Sequence, residues 1–197
     1  MKKSLSLLLA VIIPAIFFAQ SDNTLFGGPN KLKITGVFGG ASIIFLEQNI
    51  FESSDDLSLQ VDRDGFWGLE IANNFDLAFR RISRSTDRVV FGSNEYIDLK
   101  TRGVDLAYRP FEDKIIHPML SVYLASGKLE NREIRIKDRI LLAQPKAGIE
   151  INALGFMKTS LLVGYNFMDG VELINYSNQD FSRMTLELNL KFGAFWN

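Results

Sequence analysis

Met184-Thr185-Leu186-Glu187-Leu188-Asn189-Leu190-Lys191-Phe192 alternates apolar and polar residues without interruption, and Arg183 extends the polar set by one. Successive side chains of an extended strand point to opposite faces. This stretch therefore places Met184, Leu186, Leu188, Leu190 and Phe192 on one face and Arg183, Thr185, Glu187, Asn189 and Lys191 on the other. The same period of two recurs upstream. Leu161, Val163, Tyr165 and Phe167 alternate with Ser160, Gly164 and Asn166, and Ala147, Ile149 and Ile151 with Lys146, Gly148, Glu150 and Asn152. Leu120, Val122 and Leu124 oppose Ser121, Tyr123 and Ala125; Val104, Leu106 and Tyr108 oppose Gly103, Asp105, Ala107 and Arg109; Phe75, Leu77 and Phe79 oppose Asp76, Ala78 and Arg80. Leu57, Leu59, Val61, Trp67, Leu69 and Ile71 share a parity against Ser58, Gln60, Asp62, Asp64 and Glu70, and Leu32, Ile34 and Phe38 oppose Lys33 and Thr35. Eight strands result.

The connections fall into two kinds. Short links are expected at Ala72-Asn73-Asn74, around Phe111-Glu112-Asp113-Lys114 and around Ala153-Leu154-Gly155-Phe156. These are the second, fourth and sixth connections, so they share one end of an up-and-down arrangement. Longer polar connections are expected at 47–56, 128–139 and 175–180, with Gly92-Ser93-Asn94 as a short turn among them. Short turns at one end and longer loops at the other is the layout of an outer-membrane barrel. The alternation breaks near Ile97 to Arg102, where we expect a bulge or a strand rising above the membrane.

Composition narrows the class further. The 197 residues carry 22 Lys+Arg against 23 Asp+Glu, one His and no Cys, and 47% are hydrophobic. That balance excludes a disordered chain and lacks the basic excess of a nucleic-acid binder. Without Cys there is no thiol chemistry, no disulfide and no lipobox anchor, and a lone His excludes a His-rich metal centre. Lys2 and Lys3, the apolar stretch from Leu7 to Ala19 and a cut after Ala19 make residues 1–19 an expected secretory signal peptide, leaving 20–197 as one barrel domain. After residue 19 no apolar run approaches the 18 or so residues of a membrane helix.

Which face holds the charges decides between a membrane barrel and a soluble lipocalin-like one. The polar set contains Glu70, Asp76, Arg80, Asp105, Arg109, Glu150, Glu187 and Lys191, long side chains of both signs. An eight-stranded barrel has an interior just wide enough for side chains to fill, and opposite charges there can pair. On a lipid face each cation would cost roughly 2–4 kcal/mol near the midplane. The expected architecture is therefore an all-β, eight-stranded antiparallel up-and-down transmembrane barrel. Its apolar face is turned outward, with aromatics Phe38, Trp67, Phe75, Tyr108, Phe167 and Phe192 near strand ends as interfacial girdles.

With these residues in view, the chain resembles the small eight-stranded outer-membrane β-barrel proteins, the group that includes OmpA-type transmembrane domains and OmpX. The most specific piece is Met184 to Trp196, which is similar to the C-terminal signal such proteins present to the barrel-assembly machinery, although it closes with Phe195-Trp196-Asn197 rather than a terminal Phe. Gln144-Pro145-Lys146-Ala147-Gly148-Ile149-Glu150-Ile151-Asn152, Val163-Gly164-Tyr165 and Leu190-Lys191-Phe192-Gly193-Ala194-Phe195 also look like members of this group. The resemblance implies outer-membrane lipid and the assembly machinery as partners and a monomer; with nothing after the last strand, no peptidoglycan-binding domain of the OmpA kind is expected.

Catalytic motifs are missing: there is no phosphate-binding loop, dinucleotide fingerprint, nucleophile elbow or zinc-protease helix. Asp62-Arg63-Asp64-Gly65 resembles part of a calcium loop, but Gln60 and Ile71 occupy positions that need carboxylates. Asn175-Tyr176-Ser177-Asn178 is similar to the His-x-Ser-Asn stretch of lipid A deacylases, yet Asn175 cannot take a proton as imidazole does. His117 is expected at the periplasmic rim. Arg84 and Arg88, and Arg132 and Arg135 of the 128–139 segment, are candidate contacts for lipopolysaccharide phosphates, to which Arg offers a bidentate partner. No cofactor and no nucleic acid is expected. The reading is a non-enzymatic barrel, plugged by its internal charges, that serves envelope integrity or surface interaction. A narrow pore for a small or apolar solute, a lipid-modifying enzyme and a soluble lipid binder are the alternatives.

Overall fold

The computed structural model describes residues 34–46, 64–90, 93–111, 114–131, 135–173 and 177–196, with 45–46, 84–90, 93–96 and 180 described by backbone alone. The expected signal peptide, the 47–56 connection, Leu57, Leu59, Val61, Gly92 and the Asn175-Tyr176 pair lie outside them.

Among the described residues, nine strand segments build the fold: β1 (Ile34–Leu46), β2 (Asp64–Ile71), β3 (Phe75–Val90), β4 (Ser93–Tyr108), β5 (Ile116–Asn131), β6 (Ile136–Leu154), β7 (Met157–Tyr165), β8 (Phe167–Asp169) and β9 (Met184–Phe195). Each of β1 to β6 pairs antiparallel with its successor, β7 pairs with β9, and β9 returns to β1, so the sheet closes. β8 continues β7 past Asn166 and pairs with the upper half of β6, so β7 and β8 act as one stave and the barrel has eight. Closure leaves the central band of the sheet without a free edge, which in lipid is the only way a sheet can satisfy its backbone groups. A single turn of helix, α1 (Asn178–Phe181), lies between β8 and β9.

The even-numbered connections are short, as expected. The β2–β3 turn is Ala72-Asn73-Asn74, with Ala72 and Asn73 at φ 50° and 64°. The β6–β7 turn is Gly155-Phe156. At the other end the structure corrects the sequence reading. β5 runs on to Asn131 and β6 begins at Ile136, so the 128–139 segment is mostly a continuing hairpin, with Lys128 opposite Arg139. Ser93 and Asn94 are strand residues, paired with Val90 and Val89. Near Ile97 to Arg102 there is no bulge. β4 keeps register with both β3 and β5 throughout, and the register shifts fall instead at Ile34/Gly36 and Asn152/Leu154. What changes at Ile97 is polarity, not geometry: Ile97 and Leu99 are buried inside while Lys100 and Arg102 are exposed.

The outward face is apolar. Trp67 is 61% exposed, Leu120 54% and Phe192 49%, with Phe79, Leu106, Ile149, Leu161, Val163, Tyr165, Met184 and Leu186 also exposed. Trp67 packs on Phe79 and Phe75 on Tyr108, ring centroids 4.9 and 5.0 Å apart. Phe38 departs from the expected girdle. The register shift at Ile34/Gly36 leaves Ile34 outside and turns Phe38 into the lumen, where it is buried beside Phe66 and Phe195.

A barrel this narrow bends its staves sharply, and glycine marks the tightest approach. A Cβ on Gly148 would overlap the Leu161 carbonyl and the Leu162 Cα of β7. Backbone cannot move aside as a side chain can, so Gly148→Val is expected to prevent closure at the β6–β7 seam. The check is an unboiled gel, where the wild type keeps a compact, fast-migrating form and the variant does not.

Candidate functional site in the barrel lumen

Inward-facing positions carry the charges in two clusters. Near the short turns, Arg109 donates through Nη2 to Glu70 and Asp76, both at 2.8 Å, and through Nη1 to Glu150 at 2.9 Å. Lys191 reaches Asp76 at 2.6 Å and also pairs with Glu150, and Lys158 reaches Glu70 at 2.5 Å. Three cations thus face three carboxylates drawn from β2, β3, β6, β7, β9 and the residue following β4. Arg109 is fixed from the turn as well, donating to the Asn73 carbonyl at 2.9 Å. Phe38 lies under the Lys191 ammonium at 5.3 Å and Phe195 under that of Lys158 at 4.2 Å, favourable cation–π distances.

Higher in the barrel, Arg80 lies 2.6 Å from Glu187, 3.4 Å from Asp105 and 3.7 Å from Asp64. Lys146 reaches Asp105 at 2.5 Å and Glu187 at 3.4 Å. Tyr123 stands beside the Arg80 guanidinium and hydrogen-bonds Thr101 at 3.2 Å. Neutral links share the lumen: Ser42 to Asn189 at 2.5 Å, Asn189 to Ser160 at 3.1 Å, and Gln144 to Thr185 at 2.9 Å. The hollow between the clusters, touched by Asp76 and Lys191 below and Arg80 and Asp105 above, measures about 30 Å³. That is room for water, not for a solute.

Toward the loop end the lumen turns apolar. Ile44, Ile82, Ile97, Leu99, Leu129, Ile140 and Leu142 meet there, and Met168, Val171 and Leu173, with Phe181 of α1, pack in from the β8–β9 segment. The segment is pinned by the Val171 amide donating to Asn178 Oδ1 at 2.8 Å.

Of the residues singled out in the sequence, Glu70, Asp76, Arg80, Asp105, Arg109, Glu150, Glu187 and Lys191 stand in the lumen, all but Asp105 fully buried. Lys146, Lys158, Asp64 and His117 join them without having been singled out for it. His117 stands at the short-turn end, the second residue of β5, with its side chain turned into the lumen. It is buried inside, its ring nitrogens 3.1 Å from the Lys114 carbonyl oxygen and 3.3 Å from Glu150. The signal was parity: His117 shares it with Met119, Ser121 and Tyr123. Arg84 and Arg88 fall in the β3–β4 hairpin opposite Leu99 and Glu95, with only their backbone described. Arg132 lies outside the described residues, and Arg135 is exposed in the β5–β6 turn at φ 57°. Among the described residues no group of three or more His, Asp or Glu is arranged to hold a metal ion.

A closed eight-stranded antiparallel barrel with short turns at one end, an apolar exterior and a charged lumen is the architecture of the small outer-membrane β-barrels. The chain has that fold. It is similar to the N-terminal β-barrel domain of Pseudomonas aeruginosa OprF, at 13% identity and TM-score 0.54 over 81% of this chain and 98% of that one. It is likewise similar to the neisserial surface protein NspA, at 11% identity and TM-score 0.52 over 85% and 100%. No protein-family model matches the sequence. No curated protein matches it either.

Proposed function

We propose that the protein is a non-enzymatic barrel of the bacterial outer membrane whose lumen is sealed and whose work, envelope integrity or surface interaction, is done at its loop end. The observation that carries this reading is the inversion of polarity. Large apolar side chains cover the outside while paired charges fill the inside. In water such an exterior would be a continuous aggregation surface, whereas in lipid it is the favourable one. The ion clusters draw on staves all around the barrel, and the hollow between them admits only water, which supports a sealed interior over a conduit. Buried charges of this kind are retained only when paired on several sides.

Two measurements test it together. The full chain, expressed in a Gram-negative host, is expected in the outer-membrane fraction with a heat-dependent gel mobility. The purified barrel in planar bilayers is expected to give no steady conductance. Discrete, long-lived conductance steps would replace the sealed reading by a pore. A detergent-free periplasmic protein would replace the membrane reading altogether.

A further inference from the structure

Beyond the apolar band, the outer face of β3 to β6 carries cations in register. Trp67, Phe79, Val104, Leu124, Ala143 and Phe167 pair successively around the barrel as an apolar row with aromatic members. The next outward row toward the loops contains Arg81 opposite Arg102. The row after that contains Lys100, Lys128 and Arg139, each directly opposite the next on neighbouring strands. All five are exposed. Directly opposed like charges destabilise a sheet, and here three such pairings stand side by side. Among the described residues, carboxylates do little to relieve them. Lys100 meets Asp98 at 3.7 Å, Glu130 is engaged by Lys137 at 2.9 Å, and among the described residues Arg81, Arg102, Lys128 and Arg139 have no carboxylate partner. A shared anion would turn the repulsion into a binding site.

Position and span identify the anion. The cations begin where the apolar row ends, at the depth where hydrocarbon gives way to headgroups, and at the end opposite the short turns, which is the outer leaflet. The row from Lys100 to Arg139 crosses two interstrand spacings, roughly 10 Å, more than one phosphate can bridge. We propose that Lys100, Lys128 and Arg139, supported by Arg81 and Arg102, bind the phosphates of a multiply phosphorylated lipid headgroup, the lipopolysaccharide of the outer leaflet. This rests on the membrane reading above.

The test uses the full folded barrel in zwitterionic micelles. The probes are purified lipopolysaccharide, its enzymatically dephosphorylated form and phosphatidylglycerol. Replacing the row together (K100Q, K128Q and R139Q) should weaken lipopolysaccharide binding on the order of a hundredfold, given the usual worth of each cation at an anionic lipid surface. The dephosphorylated form should bind wild type and variant alike, and the wild-type interaction should weaken with salt. Heat-dependent mobility shows that the variant is folded. A folded variant that binds like the wild type, or a wild type that holds phosphatidylglycerol as tightly as lipopolysaccharide, overturns the inference alone. A wild type that stays soluble without detergent removes the membrane reading and the inference with it.

Discussion

Glu150→Leu is expected to destabilise the folded barrel by about 3–5 kcal/mol, the cost of removing one partner from a buried ion pair. Glu150 is fully buried and holds Arg109 and Lys191 at once, with His117 alongside. Deleting it leaves three cations of the lower cluster against Glu70 and Asp76 only. The leucine cannot compensate, because the loss is of charge balance rather than of volume. Urea unfolding in phospholipid vesicles measures it. The double variant Glu150→Leu with Lys191→Met restores two cations against two carboxylates and should recover a substantial part of the loss, a coupling that adding the two single effects would miss. If the single variant unfolds at the wild-type midpoint, the cluster does not hold the staves together.

The second large effect concerns the opposite face. Leu161→Arg is expected to cost about 2–4 kcal/mol, the penalty for a cation near the lipid midplane of a barrel. Leu161 is exposed midway along β7, between Ile149 on β6 and Leu188 on β9. In a soluble barrel the same change would be neutral or would improve solubility, since the arginine would meet water. The sign of the shift in unfolding midpoint therefore reports directly on what surrounds the protein.

The staves that cross the apolar band were legible because one face meets a uniform environment and the other a uniform lumen. That is why Leu161 or Leu188 can be assigned outward and Glu187 or Lys191 inward from period alone. The reading failed wherever that contrast changed. Above the band the outside of β4 is polar and the inside is apolar: Lys100 and Arg102 face out while Ile97 and Leu99 face in. A continuous strand then imitates a break. The same reversal made Lys128 and Arg139 look like loop residues. At β1 a local register shift turned Phe38 inward, and such a shift leaves no trace in spacing. His117 and Lys158 carried the lumen parity, but each stands just outside the alternating stretch that marks its strand.

The apolar cluster above the ion pairs has a bearing on permeability. Leu129, Ile140, Leu142 and Leu173 form a greasy storey toward the loop end, above the charged one. Constrictions of that kind stop ions because water withdraws from them. On the sealed reading proposed above, the barrel is insulated twice in series, once by dryness and once by fixed charge. On that reading, a lesion confined to the lower storey would weaken the protein while leaving the cell's barrier intact. Damage to stability and leakage of the envelope are separable failures in this design.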